Sequence, residues 1–213
     1  MGRRQSLDID KALPLIVRLF WRQGYNGLTL DQVAHELGVT KPTLFRTFGD
    51  KERLFTQALD AYYLEFIKPG EDRLDAAADL RSGVTACFDT AVQRMLSDEN
   101  PPGCFLTDTG LSGGFPAGPI AETLMRLQSR ALILLKGKIA EALDAGELDP
   151  TAEPQAVLQY ILAQLAALSA LSHNRSPEAT LRSIVHFMIE GLPWANRATP
   201  HKAAPQTAGD RSA

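Results

Sequence analysis

Residues Thr29 to Phe48 read TLDQVAHELGVTKPTLFRTF, and this stretch decides the fold. Thr29 and Gln32 form a T-x-x-Q capping box, each side chain reaching the other residue's backbone N–H, so a helix begins at Leu30. Val33, Ala34 and Leu37 make one apolar face of a helix expected over residues 30–37. Gly38 follows where the chain must turn sharply, a role glycine fills without a Cβ penalty. Thr40 caps a second helix expected over 41–48, with Pro42 in its first turn, where its missing N–H is harmless. Ala34 is small enough for close approach, Gly38 makes the turn and Leu44 fixes the second helix to a core. Lys41, Thr43 and Arg46 are then offered outward beside the positive end of that helix. This is the pattern of a helix-turn-helix. An ordinary αα-hairpin inside a helical protein has similar spacing and is the alternative.

Outward from this stretch, the chain punctuates as helices. Leu13, Ile16, Val17 and Phe20 recur at helical spacing in a helix expected over 9–23, stopped by Gly24. A fourth helix is expected over 51–67, ended by Pro69-Gly70. Further helices are expected over 76–97, 119–145 and 153–173, with a short helical or irregular segment over 104–111 before Gly113-Gly114. A last helix over 176–192 is expected to be capped by Ser176, with Pro177 at its first position. No credible strand is visible, so the class is all-α. The expected organisation is a three-helix head over 1–50, a helical body over 51–194 joined to it by the 51–67 helix, and a disordered tail over 195–213.

Composition narrows the functional classes. Of the 213 residues 45% are hydrophobic, enough for a packed core. No run of about 18 consecutive apolar residues occurs, so no membrane span is expected. The net charge of −3 divides unevenly. Residues 1–55 hold nine Lys and Arg against six Asp and Glu, for +3, and the remainder carries −6. A basic head on an acidic body suits a protein whose head meets phosphate. Met1-Gly2-Arg3-Arg4-Gln5-Ser6 formally fits an N-myristoylation pattern; a basic arm reaching DNA, or a plain solvated tail, is the simpler reading. Cys87 and Cys104 have no metal-ligand or secreted-disulfide spacing, which points to a reducing, cytoplasmic setting. The four histidines show no ligand spacing either, and neither a metal nor a cofactor is expected. An enzyme is disfavoured, because no paired carboxylates, nucleophile–base set or phosphate-cradling glycine loop stands out. An adaptor using the same architecture without DNA is the other alternative.

The pairs Leu19-Phe20, Gly24-Tyr25, Leu28-Thr29, Val33-Ala34 and Gly38-Val39, the run Lys41-Pro42-Thr43-Leu44-Phe45, and Phe48 and Lys51 together resemble the TetR family of bacterial transcriptional regulators. The likeness covers about residues 9–60. It implies a homodimer reading a palindromic DNA operator, with repression relieved by a small-molecule effector. Thr29, Lys41, Thr43 and Lys51 are then implied to meet phosphates, and Thr40, Pro42 and Arg46 base edges or thymine methyls. Leu44, Phe45 and Thr47 complete the implied DNA-contact set. Two residues depart from the family pattern: Phe45 stands where tyrosine is usual and Thr47 where histidine is frequent. Phe45 cannot donate to a phosphate, and Thr47 is the candidate substitute.

The body is family-like only in helix count and order. Its 153–173 helix is apolar nearly all round and is therefore expected to be buried on two sides. The resemblance implies that it pairs with the last helix and their mates in a dimer, through Ile161, Leu165, Leu168, Ile184, Val185 and Met188; a monomer core is the alternative. Candidate effector contacts are Tyr63, Phe66, Phe88, Cys104, Phe105, Met125, Gln128, Tyr160 and Gln164. The polar Gln128, Tyr160 and Gln164 are favoured, because polar groups inside apolar helices need partners. Cys104 is also weighed as a redox or electrophile sensor.

Overall fold

The computed structural model of the chain describes residues 7–111, 117–174 and 176–195. Arg3 and Arg4, the myristoylation pattern, Gly113-Gly114 and the segment after residue 195 lie outside the described residues. The class is all-α, as expected. α1 spans Ile9–Gly27, α2 Leu30–Glu36, α3 Lys41–Phe48, α4 Lys51–Tyr62, α5 Lys68–Ala76, α6 Leu80–Met95, α7 Phe105–Leu111, α8 Pro119–Asp144, α9 Pro154–His173 and α10 Glu178–Glu190. A π-turn, Tyr63–Ile67, links α4 to α5, so that counting Lys51–Ala76 as one rod gives nine helices among the described residues. The sole β feature there is an isolated antiparallel bridge between Leu148 and Trp194.

Two apolar cores form. One gathers Ile16, Phe20, Val33, Leu44, Phe48, Phe55, Leu59 and Tyr62 from α1–α4 with Phe105, Ile120, Leu124 and Leu127 from α7 and α8. The other gathers Leu80, Val84, Phe88 and Val92 from α6 with residues of α8, α9 and α10. α4 joins them. Phe55 stacks edge-on against Phe20 (4.9 Å), Tyr25 (5.1 Å) and Phe105 (5.3 Å), and Tyr62 against Trp21 (4.9 Å) and Phe105 (5.6 Å).

Three expected boundaries are corrected. Pro69-Gly70 does not end the fourth helix. The Lys68 N–H bonds back to the Tyr63 carbonyl, a π-type step, and Pro69 falls in the first turn of α5. The wider π-turn places the residue that lacks an N–H where a helix start needs none. α6 begins at Leu80 rather than Ala76: Asp79 accepts the Ser82 N–H at 2.7 Å, and Glu147 accepts the Leu80 and Arg81 N–H groups at 2.8 and 2.7 Å. Ser176 does not cap α10, because its hydroxyl donates to the Leu171 carbonyl at 3.5 Å. Pro177 flanks the first turn instead.

α9 is long and apolar enough, at a mean hydropathy of 1.3, to cross a membrane, although no long run of consecutive apolar residues suggests it. Gln155, Gln159 and Gln164 interrupt it, and Val157, Leu158, Ile161 and Leu168 are packed in the second core.

Candidate nucleic-acid interface and effector cavity

The expected capping box forms: the Thr29 N–H donates to Gln32 Oε1 at 2.8 Å, and the Gln32 N–H donates to Thr29 Oγ1 at 3.3 Å. Gly38 then turns the chain at φ +65°, while the Val39 N–H closes onto the Ala34 carbonyl at 2.9 Å. A Cβ on Gly38 would touch nothing within 4 Å, so Gly38→Ala is expected to cost only the left-handed backbone term, about 1–2 kcal/mol. Urea unfolding checks this. Thr40 caps α3.

Leu44 and Phe48, one helical turn apart, are fully buried and hold α3 against α1 and α4. Leu44 therefore cannot reach DNA, a correction to its expected place among the contacts: the side chain that fixes the helix to the core cannot also face the groove. The outward face carries Thr40, Lys41, Pro42, Phe45 and Arg46, all exposed. Phe45, at 57% exposure, is a large apolar side chain left open on this helix. Among the described residues no carboxylate pairs with Arg46, whereas Lys41 pairs with Asp31 at 2.8 Å. Thr47 donates its hydroxyl to the Thr43 carbonyl at 2.9 Å, so that proton is engaged within the helix. Thr40 and Thr43 hydroxyls lie 3.0 Å apart. Lys51 sits 4.4 Å over the Tyr25 ring, which places an ammonium at the N-terminus of α4 close to the exposed face.

Behind the head, a cavity of about 140 Å³ lies between α5, α6, α8 and α9, reached also by the π-turn and by the start of α7. Its wall is mostly apolar, including Phe66, Leu74, Phe88 and Leu134, with Glu71, Cys87, Thr90, Arg94, Cys104 and Thr107 as its polar points. Of the expected contacts, Phe66, Phe88 and Cys104 line it. The others do not. Tyr63 sits behind the wall, its hydroxyl on Glu71. Phe105 is committed to the aromatic junction around Phe55. Met125 and Gln128 point to solvent. Tyr160 donates to the Met188 carbonyl at 3.1 Å, and Gln164 is half-buried away from the cavity. Arg94 and Glu71 were missed because their long side chains read as solvated helix positions; their burial depends on helices remote in sequence.

The expected dimer residues are likewise placed elsewhere. Ile161 and Leu165 line the cavity, Leu168, Val185 and Met188 are buried in the second core, and Ile184 packs against it. The buried Ile161, Leu168, Val185 and Met188 fill their own protomer's core and are not available to a partner, whereas Leu165 and Ile184 are half-buried. The outward faces of α9 and α10 carry Ala163, Ala167, Ala170, Ser183 and Phe187 instead.

A basic head presenting an exposed, rigidly held second helix defines a DNA-binding transcription regulator of the helix-turn-helix class. The family of bacterial regulatory proteins, tetR family, matches residues 15–58. Escherichia coli K12 ComR, an HTH-type transcriptional repressor, is 27% identical over 168 residues, 75% of this chain and 77% of ComR. The uncharacterized regulator YezE of Bacillus subtilis 168 is 25% identical over 151 residues, 70% of this chain and 77% of YezE. The TetR regulator CifR, solved as a cysteine mutant with a 26-bp double-stranded operator, superposes with a TM-score of 0.80 at 26% identity, over 90% of this chain and all of CifR. Bacillus subtilis FadR in complex with stearoyl-CoA shares the fold, with a TM-score of 0.69 at 15% identity, over 87% of this chain and all of FadR. This chain belongs to the TetR family of transcriptional regulators, proteins that act by binding DNA rather than by catalysis.

Proposed function

We propose that the protein is a cytoplasmic, homodimeric repressor that grips a palindromic operator with paired α3 helices and releases it when a small, largely apolar effector fills the body cavity. The observation that carries this reading is the outward face of α3, held rigid by Leu44 and Phe48 while Thr40, Pro42, Phe45 and Arg46 stand exposed. Arg46 reads a guanine edge; Thr40, Pro42 and Phe45 meet thymine methyls and sugars; Thr29, Lys41, Thr43 and Lys51 hold phosphates. Lys41 must leave Asp31 to do so. Because Thr47 spends its hydroxyl proton inside α3, it does not replace the phosphate donor that Phe45 lacks. ComR, a repressor, and CifR, seen on operator DNA, support the reading. The cavity is close to the roughly 150 Å³ that admits a benzene ring in an engineered apolar site, and the ligand-bound FadR fold supports an effector at the body.

A gel-shift titration against duplexes selected from random sequence tests the core of the reading. Specific binding is expected to weaken with salt at a log–log slope of about −0.9 per phosphate neutralised, with half-sites spaced by whole helical turns. Affinity indifferent to sequence and salt would refute it. The dimer is read onto the outward faces of α9 and α10, where Phe187 is 69% exposed on α10 and the small Ala163 and Ala167 are exposed on α9. Phe187→Glu is expected to shift the chain to monomers in sedimentation and to abolish cooperative operator binding, because a like charge is then buried against its symmetry mate.

A further inference from the structure

Two cysteines line the same cavity in different electrostatic surroundings. Burial pushes the Cys87 thiol up to about 11, and Glu71 adds to the effect. Cys104 is buried as well, yet donors converge on its sulfur. The Tyr62 hydroxyl donates to Cys104 Sγ at 3.4 Å and receives a bond from Arg94 Nη1 at 2.9 Å. Thr107 turns both its hydroxyl and its backbone N–H toward the sulfur. Burial raises this thiol, but the Arg94 guanidinium and these donors outweigh it, so the net shift is downward.

Arg94 points to the same conclusion independently. It lines the cavity, its Nε is buried with no acceptor, and among the described residues no carboxylate forms an ion pair with it. Of the acids nearby, Asp108 acts on it through space but forms no ion pair with it, and burial raises both Glu71 and Asp108. Glu71 is held by Tyr63, while Asp108 accepts the Cys104 N–H at 3.2 Å and lies 3.6 Å from His173. A buried guanidinium with no carboxylate in ion-pair contact is costly, and a Cys104 thiolate adds a counter-charge beside it.

We propose that Cys104 is a thiolate nucleophile that captures small, uncharged carbon electrophiles, α,β-unsaturated carbonyls in the first instance, from the apolar cavity, and that the adduct is signalled to the DNA-binding head through Tyr62. The proposal rests on the cavity being the effector site. The sulfur attacks the β-carbon; the C–S bond forms as the C=C pair shifts to join the α-carbon to the carbonyl carbon and the C=O pair moves onto oxygen, and the enolate takes a proton from water at the α-carbon, leaving hydroxide. No leaving group, oxidant or reductant is needed. The apolar wall of Phe66, Leu74 and Phe88 favours a carbon electrophile over a hydrated oxidant such as peroxide.

The consequence reaches the head because Tyr62 is the last residue of α4 and packs edge-on against Trp21 of α1. Alkylation removes the anion that Tyr62 and Arg94 hold. The π-turn beginning at the next residue, with Phe66 on the cavity wall, is the joint at which α4 can then move against α5. Lys51, at the far end of α4, moves with it.

The test treats the full-length dimer with methyl vinyl ketone and reads intact mass, thiolate ultraviolet absorbance against pH, and affinity for a selected duplex. One adduct is expected at neutral pH, at Cys104 and not at Cys87, and it is expected to lower DNA affinity by about tenfold or more. Cys87→Ser, which alters the cavity wall, should still take one adduct, at Cys104. Tyr62→Phe should move the thiolate absorbance midpoint to higher pH and slow the adduct. A midpoint at or above the free-cysteine value of about 8.5, equal reaction at the two cysteines, faster modification by hydrogen peroxide, or an adduct that leaves DNA affinity unchanged would each overturn the proposal. Cys104→Ser should take no adduct; if it does not fold, the Cys87→Ser titration still decides. An unmodified chain that bound no duplex would sink the repressor reading instead, leaving the mass and absorbance results to judge the thiol.

Discussion

Phe55→Ala is expected to cost about 3–5 kcal/mol of folding stability, the range for emptying a large aromatic site in a packed core. The side chain has no exposure. It touches Phe20 and Tyr25 from the head and Phe105 from the body, each edge-on at 4.9 to 5.3 Å. These ring contacts add to the area term, and they come from elements far apart in the chain, so no single neighbour can relax into the void. Such a loss is a large share of the about 5–15 kcal/mol that typically holds a domain. Denaturant unfolding should show a lowered midpoint, and the head and body should lose their common transition, because Phe55 is where the rings of the head pack on Phe105 of α7 within the first core. Phe55→Leu, which keeps most of the volume, is expected to cost less than about 2 kcal/mol. If alanine and leucine proved equally mild, the junction would not be the structural centre described above.

Arg46→Ala is expected to weaken specific operator binding by about 1–3 kcal/mol, roughly 5- to 150-fold, while leaving the melting transition in place. Arg46 is exposed on α3 with no ion pair among the described residues, so its removal opens no cavity and strands no buried charge. The loss should be sequence-dependent: the variant relaxes discrimination at one base-pair position and retains most non-specific affinity. Arg46→Lys keeps the charge but not the planar fork and should recover little of that discrimination. Lys51→Ala is the contrast. Its ammonium lies over Tyr25 at 4.4 Å rather than on the recognition helix, and its loss should weaken all duplexes alike and reduce the salt slope by about 0.9. Competition binding across single-base operator variants at two salt concentrations separates the two. Equal losses on specific and random DNA for Arg46→Ala would move base reading to other residues.

Much of the head was legible in the linear order because its signals are local. The Thr29–Gln32 capping box, the Gly38 turn, the Thr40 cap and the Leu44–Phe48 spacing each act within four residues of one another, and each forms as read. Local rules erred where a residue had two possible partners. Ser176 met the Leu171 carbonyl rather than its own helix start, and Pro69 opened a helix where a stop was expected, since a π-turn had already shifted the backbone register.

The amino-acid sequence by itself determined that this is an all-helical protein with a basic helix-turn-helix head, because helix starts, turns and apolar periodicity are properties of neighbouring residues. Only the tertiary structure decided what the body does with its side chains. α9 is apolar on nearly every face, so periodicity could not say that Ile161 and Leu165 turn to a cavity while Ala163 and Ala167 turn outward. The same holds for Tyr62, Arg94 and Cys104. They lie 32 and 42 positions apart along the chain, and their chemistry depends on a buried arrangement that packing alone creates: a charge excluded from water takes its partner from whichever helices enclose it.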